Sequence, residues 1–372
     1  VIDTVPFRLP TIETDSECIL TVSFLLKEDT KWASAGYEIA WEQMIIPTPV
    51  FAKEKTVLKG KVSISENDND IAVSGEKFRY VIDKKSGGFK SLKFNGTEYL
   101  EGGSSFNVWR APLANDIDPW GSQQFQERNF TPGFGRSIDN QLRTLGMRDL
   151  ISEVNDININ QQSDSKLTVK IKAFSNSTKP ANSKLRGWSG VSAFERNETW
   201  TFNADGTIEL EQEIIPDGPM PDMLQKIGLQ FQLPKQFNIV EWYGRGPFEN
   251  YPDRKTGAKI GHYFSNADEM FVPYIFPQEY GNRSDVRWLK IQNTDGKGLL
   301  IRGGKLLNFS LHKFTTDNLD RAVYTYQLKE APNTILNVDY EVTGVGGTAI
   351  RQLQRYRVMP HAETYKLTIK PF

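Results

Sequence analysis

The feature that most constrains the fold is a repeated alternation of apolar and polar residues along short segments. A period of two places every second side chain on one face, which is typical of a β-strand with one buried face. Turn signals separate these segments, and no segment keeps a convincing helical period. Short strands joined by turns, without helices between them, predict an all-β antiparallel sandwich or barrel. The clearest alternating segments are Ile19–Leu26, Lys61–Ser65, Leu167–Phe174 and Thr207–Ile215.

A break in this pattern falls near Ile45–Lys55, where Pro47 and Pro49 remove backbone donors that strand pairing needs. The segment before the break holds about three strands, fewer than a sandwich of the immunoglobulin type requires. Residues 1–50 are therefore predicted to be the C-terminal strands of an incomplete sandwich. Residues 57–372 are predicted to form one large β domain. Because the chain begins at Val1 with an incomplete domain, we expect it to be part of a longer protein.

The charge balance and the metal-binding residue types exclude several functions. With 45 Lys and Arg against 46 Asp and Glu, no basic surface for nucleic acid or an anionic membrane is predicted. No apolar run reaches the roughly 18 residues of a membrane span. The single cysteine excludes an internal disulfide and a cysteine-based metal site, and the three histidines are scattered. No cofactor is predicted in this chain.

The stretch Glu241–Gly261 concentrates turn formers, charges and aromatic residues. One interpretation makes Glu249 and Asp253 carboxylates for acid–base chemistry. The other makes the stretch a structural corner around Tyr251, in which Asp253 caps backbone amides and Arg254 pairs with a carboxylate. We favour the corner, because prolines fix its backbone and an arginine–carboxylate fork leaves a loop little freedom.

The segment Asn107–Asp118 also has two interpretations. Asn115 and Asp116 are expected to bond nearby backbone amides, as short polar side chains do in turns. Arg110 can reach either a sugar hydroxyl or a neighbouring carboxylate, and we favour a structural role. In the loop that follows, Trp120 can stack on the C–H face of a sugar ring or pack against a neighbouring domain. Both uses of Trp120 stay open.

A third motif begins at Glu279 and alternates charged residues with aromatic ones. On a strand, Arg283, Asp285 and Arg287 share one face, because side chains two positions apart point the same way. Asp285 is therefore predicted to lie between two arginines in a ladder of ion pairs, mainly structural in role. A binding role is the less favoured alternative.

His312 bears on a catalytic alternative. A mutarotase needs a general base, commonly a carboxylate, and a general acid, commonly histidine, in one cleft. His312 lies in the alternating run "FSLHKF", so its side chain can point into a cleft. A lone strand histidine is more often buried in the core or exposed without function, and mutarotation is the least favoured reading.

Five segments together resemble the C-terminal part of the large bacterial β-galactosidases of glycoside hydrolase family two. They occur in the order of that family and span nearly the whole chain. "ENYPDR" alone would be weak support, whereas five ordered matches are specific. The segments are Thr30–Ile46, Asn107–Asp118, Val240–Gly261, Tyr274–Leu289 and Asn333–Gly347.

The resemblance implies a fold and a role. Residues 1–50 would end the family's second immunoglobulin-like domain, and residues 57–372 would form its small-chain domain, a β supersandwich related to galactose mutarotases. A retaining glycosidase needs two carboxyls about 5–5.5 Å apart, and in this family both lie on a (β/α)-barrel. No strand–helix alternation of that kind occurs here, so the barrel is expected upstream, with most of the magnesium and sodium ligands.

The implied function is a non-catalytic C-terminal region that caps the barrel, shapes the sugar pocket and supports assembly. Its expected partners are the catalytic barrel, in the same or a separate chain, a β-galactoside or related oligosaccharide, and possible identical subunits. The compartment stays open between bacterial cytoplasm and periplasm. The alternatives are a stand-alone carbohydrate-binding module and, less favoured, a mutarotase-like enzyme.

One position departs from the family pattern. Ile335 stands where the pattern has a tryptophan that stacks on the sugar, and isoleucine has no flat ring. Either a nearby aromatic such as Tyr340 replaces it, or the sugar subsite is built differently. Ile335 and Tyr340 therefore join Arg110 and Trp120 as candidate sugar contacts.

Overall fold

The structure, a computed structural model, describes residues 17–48, 58–117, 138–183, 187–347 and 352–372. The chain divides into two compact units, Val1–Val57 and Leu58–Phe372. In the first unit, β1 (Cys18–Leu25) and β2 (Glu38–Ile46) form an antiparallel hairpin that pairs Cys18 with Ile46. The predicted strand at Ile19–Leu26 coincides with β1 almost completely.

The second unit is built almost entirely from strands. Its short helices are α1 (Ala114–Ile117), α2 (Ile138–Thr144) and α3 (Thr316–Arg321), with single 3-10 turns at Thr325–Gln327 and Gln354–Tyr356. Its strands are β3 (Ser63–Glu66), β4 (Asp70–Ser74), β5 (Phe78–Asp83), β6 (Phe89–Phe94), β7 (Thr97–Glu98), β8 (Gly103–Asn107), β9 (Leu150–Ser163), β10 (Lys166–Ser183), β11 (Trp188–Asn203), β12 (Ile208–Asp217), β13 (Lys226–Pro234), β14 (Ile239–Gly246), β15 (Lys259–Asn266), β16 (Arg283–Val286), β17 (Trp288–Gln292), β18 (Gly298–Gly303), β19 (Leu307–His312), β20 (Asn333–Val342) and β21 (Glu363–Pro371).

Within the described ranges these strands form three sheets, and every pairing between neighbouring strands is antiparallel. The largest has nine strands in the order β15-β14-β17-β18-β21-β12-β11-β10-β9. The second has five in the order β16-β19-β20-β13-β8, and the third is the meander β3-β4-β5-β6-β7. The predicted all-β antiparallel fold is confirmed.

Alternation explains how the sheets bury one face. In β12, Ile208, Leu210 and Ile214 are buried, while Glu209 and Glu211 between them are exposed. Burying a large apolar side chain stabilises the folded state by about 1.5–3 kcal/mol. Each such apolar face therefore favours packing of its sheet against another. None of the helices in the described ranges is long and apolar enough to cross a membrane.

Aromatic contacts show which sheets pack together. Trp242 of β14 contacts Phe309 of β19 edge to face, with ring centroids 5.5 Å apart. This contact joins the nine-stranded sheet to the five-stranded sheet that contains β19. Trp200 of β11 meets Phe89 of β6 at 4.8 Å and joins the meander to the same core. Edge-to-face contact is one of the two favoured geometries of aromatic pairs. The apolar core therefore lies between the sheets.

Strand β20 is unusual because both of its faces are buried. Leu336 and Val338 point into the apolar core between the sheets. The alternate residues Asn337 and Asp339 are polar, and each is only 1% exposed. Buried polar groups need hydrogen-bond partners, so the residues that cover this second face must supply them.

Candidate functional site

Arg110 follows β8 and is the centre of a junction between three loops. It is 1% exposed, and its Nη1 donates to the Thr343 carbonyl oxygen at 2.7 Å. Its Nη2 donates to the Gly344 carbonyl at 3.2 Å and lies 3.4 Å from Asp116 Oδ2. The guanidinium also faces the Tyr251 ring, with Cζ 6.0 Å from its centroid. Arg110 therefore holds the segment after β20 against its own loop.

Asp116 and Asn115 complete this loop. Asp116 Oδ2 accepts from the Leu113 amide at 3.1 Å and from Gln225 Nε2 at 3.3 Å. The local amide bond predicted for Asp116 is confirmed. The local bond predicted for Asn115 is wrong, because its Nδ2 donates to the Val345 carbonyl at 3.2 Å. Asn115 adds a second tie to the segment after β20.

The corner around Asp253 meets the same segment from the other side. Asp253 Oδ1 accepts from the Val345 amide at 2.9 Å, and Oδ2 accepts from the Gly346 amide at 2.7 Å. A Cβ atom at Gly344 would overlap the Asp253 carboxylate, so only glycine allows this approach. Asp253 caps amides as predicted, but they lie 92 and 93 residues away in the chain.

Arg254 departs from its predicted partner. Its Nη2 donates to the Gly346 carbonyl at 2.9 Å instead of pairing with a carboxylate. Asp253 and Arg254 thus bind the amide and carbonyl of one glycine from adjacent positions. Each non-proline residue carries one backbone donor and one backbone acceptor, and this pair of side chains bonds both of those of Gly346.

Glu249 and Tyr251 lie deeper in the same corner. Glu249 Oε2 accepts from the Gly281 amide at 2.8 Å, and Oε1 accepts from the Tyr274 hydroxyl. Tyr251 is buried, and burial followed by the charge of Glu249 raises the pKa of its hydroxyl well above the usual range. Both carboxylate oxygens of Glu249 therefore serve as acceptors for groups of the protein itself.

A buried ionic cluster lies on the polar face of β20. Lys226 Nζ lies 3.0 Å from Asp339 Oδ2 and 3.7 Å from Glu279 Oε1, and these side chains are 1–4% exposed. Glu279 Oε1 also accepts from Ser310 at 3.4 Å. Burial raises the pKa of Asp339 to about 6, although Lys226 works to lower it. Lys226 and Asp339 were missed from the sequence.

His312 faces this cluster but opens on no cleft. It is completely buried, and its Nε2 lies 2.7 Å from the Tyr280 carbonyl, which makes Nε2 the donor. Burial lowers the pKa of His312 and favours the neutral ring. The favoured prediction that His312 is a histidine buried in the core is confirmed, and the less favoured mutarotase alternative loses its general acid.

The ladder predicted around Asp285 is wrong. The register shifts between Arg283 and Val286, and Asp285 has a left-handed φ of 55°, so alternation fails there. Asp285 pairs instead with Arg245 Nε at 2.5 Å and Lys255 Nζ at 2.7 Å. Burial acts to raise the pKa of the Asp285 carboxyl. The hydrogen bonds from Lys255 and Arg245 outweigh this effect and hold the pKa below its usual range.

The two arginines of the predicted ladder bind elsewhere. Arg283 is 4% exposed and donates to the Gly281 carbonyl at 3.0 Å, beside the ring of Trp242. Arg287 donates to the Asp285 carbonyl at 2.7 Å and lies 5.6 Å from the centroid of Tyr243. Both therefore contact backbone oxygens and rings.

Two of the candidate sugar contacts, Ile335 and Tyr340, are buried residues of β20. Ile335 is 2% exposed in β20, where it pairs with Gln232 and His312. Tyr340 is 6% exposed and stacks on Tyr365 with centroids 4.4 Å apart. Trp120 lies outside the described residues. Sugar contact by these residues stays a prediction.

The junction uses its carboxylates as ligands for its own loops. Asp116, Glu249 and Asp253 each accept a hydrogen bond from a backbone amide. Within the described ranges, no group of three or more His, Cys, Asp or Glu residues could hold a metal ion. The arrangement can position loops, and it offers no exposed acid–base pair.

These observations define an all-β region whose polar residues organise its own loops. The sequence profile of the family described as "Beta galactosidase small chain" matches residues 74–370, so this chain belongs to that family. A second profile, described as "Beta-galactosidase, domain 4", matches residues 3–47. The resemblance to the C-terminal part of β-galactosidases is confirmed.

Individual relatives are similar to this chain over most of its length. A β-galactosidase of Priestia megaterium is 32% identical over 335 residues, which cover 90% of this chain and 29% of that protein. A β-galactosidase of Kluyveromyces lactis is 28% identical over 366 residues, covering 95% of this chain and 32% of that protein. The chain therefore spans about a third of the length of these relatives.

Solved structures show only weak likeness. A galactose 1-epimerase from Lactobacillus acidophilus aligns with a TM-score of 0.37 and 7% identity, covering 85% of this chain and 99% of that one. An aldose epimerase homologue from C. elegans gives 0.38 and 8%, covering 84% and 99%. Likeness at this level carries no functional argument.

Proposed function

We propose that this chain is the non-catalytic C-terminal region of a β-galactosidase-type glycoside hydrolase. The catalytic carboxylate pair lies on a part of the enzyme outside this chain. The observation that carries the proposal is the use of Glu249 and Asp253 as acceptors for backbone amides. Both oxygens of each carboxylate already accept hydrogen bonds from the protein itself, so neither side chain is free to act as a nucleophile.

The junction around Arg110 suggests how this region acts. Arg110 and Asp253 hold the Thr343–Gly346 segment from two sides, with distances of 2.7–3.2 Å. Hydrogen bonds to charged groups are about twice as strong as neutral ones, so the loop ends here are well fixed. A fixed set of loops suits the capping of a catalytic barrel and the shaping of one side of its sugar pocket.

The domain division is part of the proposal. We assign residues 1–50 to the end of an immunoglobulin-like sandwich and residues 57–372 to the small-chain supersandwich. The two compact units and the two matching profiles support this assignment. Its partners would be the catalytic barrel, in the same or a separate chain, and a β-galactoside.

The proposal is tested by hydrolysis of o-nitrophenyl-β-galactoside. We expect no hydrolysis by this chain alone and hydrolysis by a longer polypeptide that contains it. Removing residues 58–372 from that polypeptide should abolish activity, and adding this chain in trans should restore part of it. Hydrolysis by this chain alone, lost in the Glu249→Gln variant, would return these carboxylates to a catalytic role.

A further inference from the structure

A cavity opens beside the edge strands of two sheets. It has a volume of about 420 Å³ and is lined by parts of β8, β11 and β13 and by the turn at Ser86–Gly88. β8 is the edge strand of its five-stranded sheet, and β9, whose first residues also line the cavity, is the edge of the nine-stranded sheet. Small-molecule pockets commonly have volumes of about 300–1,000 Å³.

Three residues that line this cavity carry buried donors without an acceptor among the described residues. They are Asn107 Nδ2, Trp109 Nε1 and Arg196 Nε. Trp109 is 5% exposed and Arg196 is 4% exposed, so bulk water does not satisfy these groups freely. A buried polar group without a partner is uncommon and calls for an explanation, such as a bound ligand.

The orientation of these donors is fixed by other contacts. Asn107 Oδ1 accepts from the Trp109 amide at 2.9 Å, so the amide nitrogen of Asn107 is left as the unbonded end. Arg196 Nη1 donates to Glu198 Oε1 at 2.6 Å, and its guanidinium lies 5.3 Å from the Phe106 centroid. These contacts hold the donors in place before a ligand arrives, which lowers the entropy cost of binding.

The charges around the cavity are already paired. Arg196 is bonded to Glu198, which also accepts from Trp200 Nε1 at 2.8 Å. At the other side, Arg148 pairs with Asp317. An anion such as sulfate or phosphate would meet no unpaired cation here, and a neutral ligand avoids repulsion by the carboxylates. The unbonded N–H groups require that ligand to be rich in acceptors.

We propose that this cavity binds a neutral sugar of monosaccharide size. Sugar hydroxyl oxygens accept from the N–H groups of Asn107, Trp109 and Arg196, and their hydrogens can be donated to serine oxygens of the lining. The C–H face of the ring packs against Phe106 and Trp200, which also line the cavity. This binding site stands independently of the proposed role beside the catalytic barrel.

Binding is tested on the full 372-residue chain by isothermal titration and saturation-transfer NMR. The probes are D-galactose, D-glucose and D-mannose, with sodium sulfate as an anionic probe. We expect at least one sugar to bind and sulfate not to bind. Absence of binding by all three sugars, which would mean that water alone fills the cavity, overturns the proposal. Binding of sulfate in place of sugar overturns the neutral ligand class.

Asn107→Asp is the sharpest variant. It keeps the oxygen that accepts from the Trp109 amide and replaces the unbonded donor with an acceptor. A hydroxyl that accepted from Asn107 must then donate its single hydrogen to the new carboxylate, and it loses the bond that this hydrogen made to a serine oxygen. We expect sugar affinity to fall at least tenfold. The matched control is Asn67→Asp, because Asn67 Oδ1 accepts from two amides at 2.8 Å in an exposed turn. Equal affinity in Asn107→Asp and Asn67→Asp overturns the proposal.

A second variant tests the same cavity if Asn107→Asp does not fold. Ser105 is exposed and lines the cavity, so Ser105→Tyr fills the opening without touching the buried donors. We expect loss of sugar binding with an unchanged thermal unfolding midpoint. Ser65→Tyr, at an exposed position of β3, should bind as the parent does. Undiminished binding by Ser105→Tyr places the sugar elsewhere and overturns the proposal.

Discussion

On one face of β20, Leu336 and Val338 are completely buried in the core between the sheets and need no partner. On the other face, Asn337 and Asp339 are buried to the same degree, but each is held by a specific neighbour. Asn337 Nδ2 donates to Ser310 at 3.0 Å, and Asp339 pairs with Lys226 at 3.0 Å. Burial alone stabilises the first face, whereas the second is stable only while its partners are present.

The largest expected effect is on the polar face. Asp339→Ala leaves Lys226 buried with only Glu279, 3.7 Å away, as a carboxylate neighbour. We expect the free energy of unfolding to fall by about 3–5 kcal/mol, because a buried charge without its partner is costly. Urea unfolding of the chain, followed by tryptophan fluorescence, measures this change.

The control for that variant removes the three charges of the cluster together. Lys226→Met with Asp339→Leu and Glu279→Gln is expected to cost much less than Asp339→Ala, because neutral side chains can replace a buried ionic cluster at little cost. If the triple variant is as destabilised as the single one, the two faces of β20 do not differ in the way described.

The apolar face gives the next effect. Leu336→Ala removes a completely buried side chain and leaves a cavity, and we expect a loss of about 2–5 kcal/mol. This loss should be the same at pH 4 and pH 7, because no charge is involved. Lys370→Ala, at an exposed position of β21, should stay within about 0.5 kcal/mol of the parent.

The junction should respond more weakly. Asp253→Ala leaves the amides of Val345 and Gly346 without their acceptor, at a cost of about 1–3 kcal/mol. Asp253→Asn keeps one oxygen and should lose less. Differential scanning fluorimetry with a sugar titration separates the two interpretations of this residue. An unchanged melting temperature combined with lost sugar binding would contradict the structural role.

The smallest effect is the pH dependence of the polar face. The pKa of Asp339 rises from 3.8 to about 6 on folding, so the folded state holds this proton more tightly than the unfolded state. The resulting stability is complete below about pH 4 and is lost as the pH rises through about 6. Relative to Asp339→Asn, the parent should lose on the order of 1–2 kcal/mol between these values.

This pH difference is measured by urea unfolding of both proteins at intervals from pH 4 to pH 7. Asp139, whose pKa burial also raises to about 6, is present in both, so its contribution cancels. A difference between the two proteins that stays constant across this range would show that Asp339 does not change its proton affinity on folding.

The fold was predictable because its signal is local. The alternation of Thr207–Ile215 predicts β12, and the same period identifies the inward face of Ile208 and Leu210. Alternation does not show which strands pair with each other. The neighbours of β12 are β11, next in the chain, and β21, which begins well over a hundred residues later.

The site was predictable in its chemistry and less so in its partners. An aspartate in a turn caps amides, and Asp253 does, but the sequence did not identify these amides as those of Val345 and Gly346. Lys226 and Asp339 were missed because β13 and β20 are distant in the sequence, and only the folded structure shows that these strands pair. Asp285 was misplaced because its left-handed backbone interrupts the alternation on which the ladder depended.

The position of β21 has a consequence for biosynthesis. This last strand along the sequence pairs with β18 on one side and β12 on the other, inside the nine-stranded sheet. Until the ribosome has released residues 363–371, the sheet exists only as two separate four-stranded halves with exposed edges. A nascent chain stalled before this point offers those edges to chaperones or to other nascent chains.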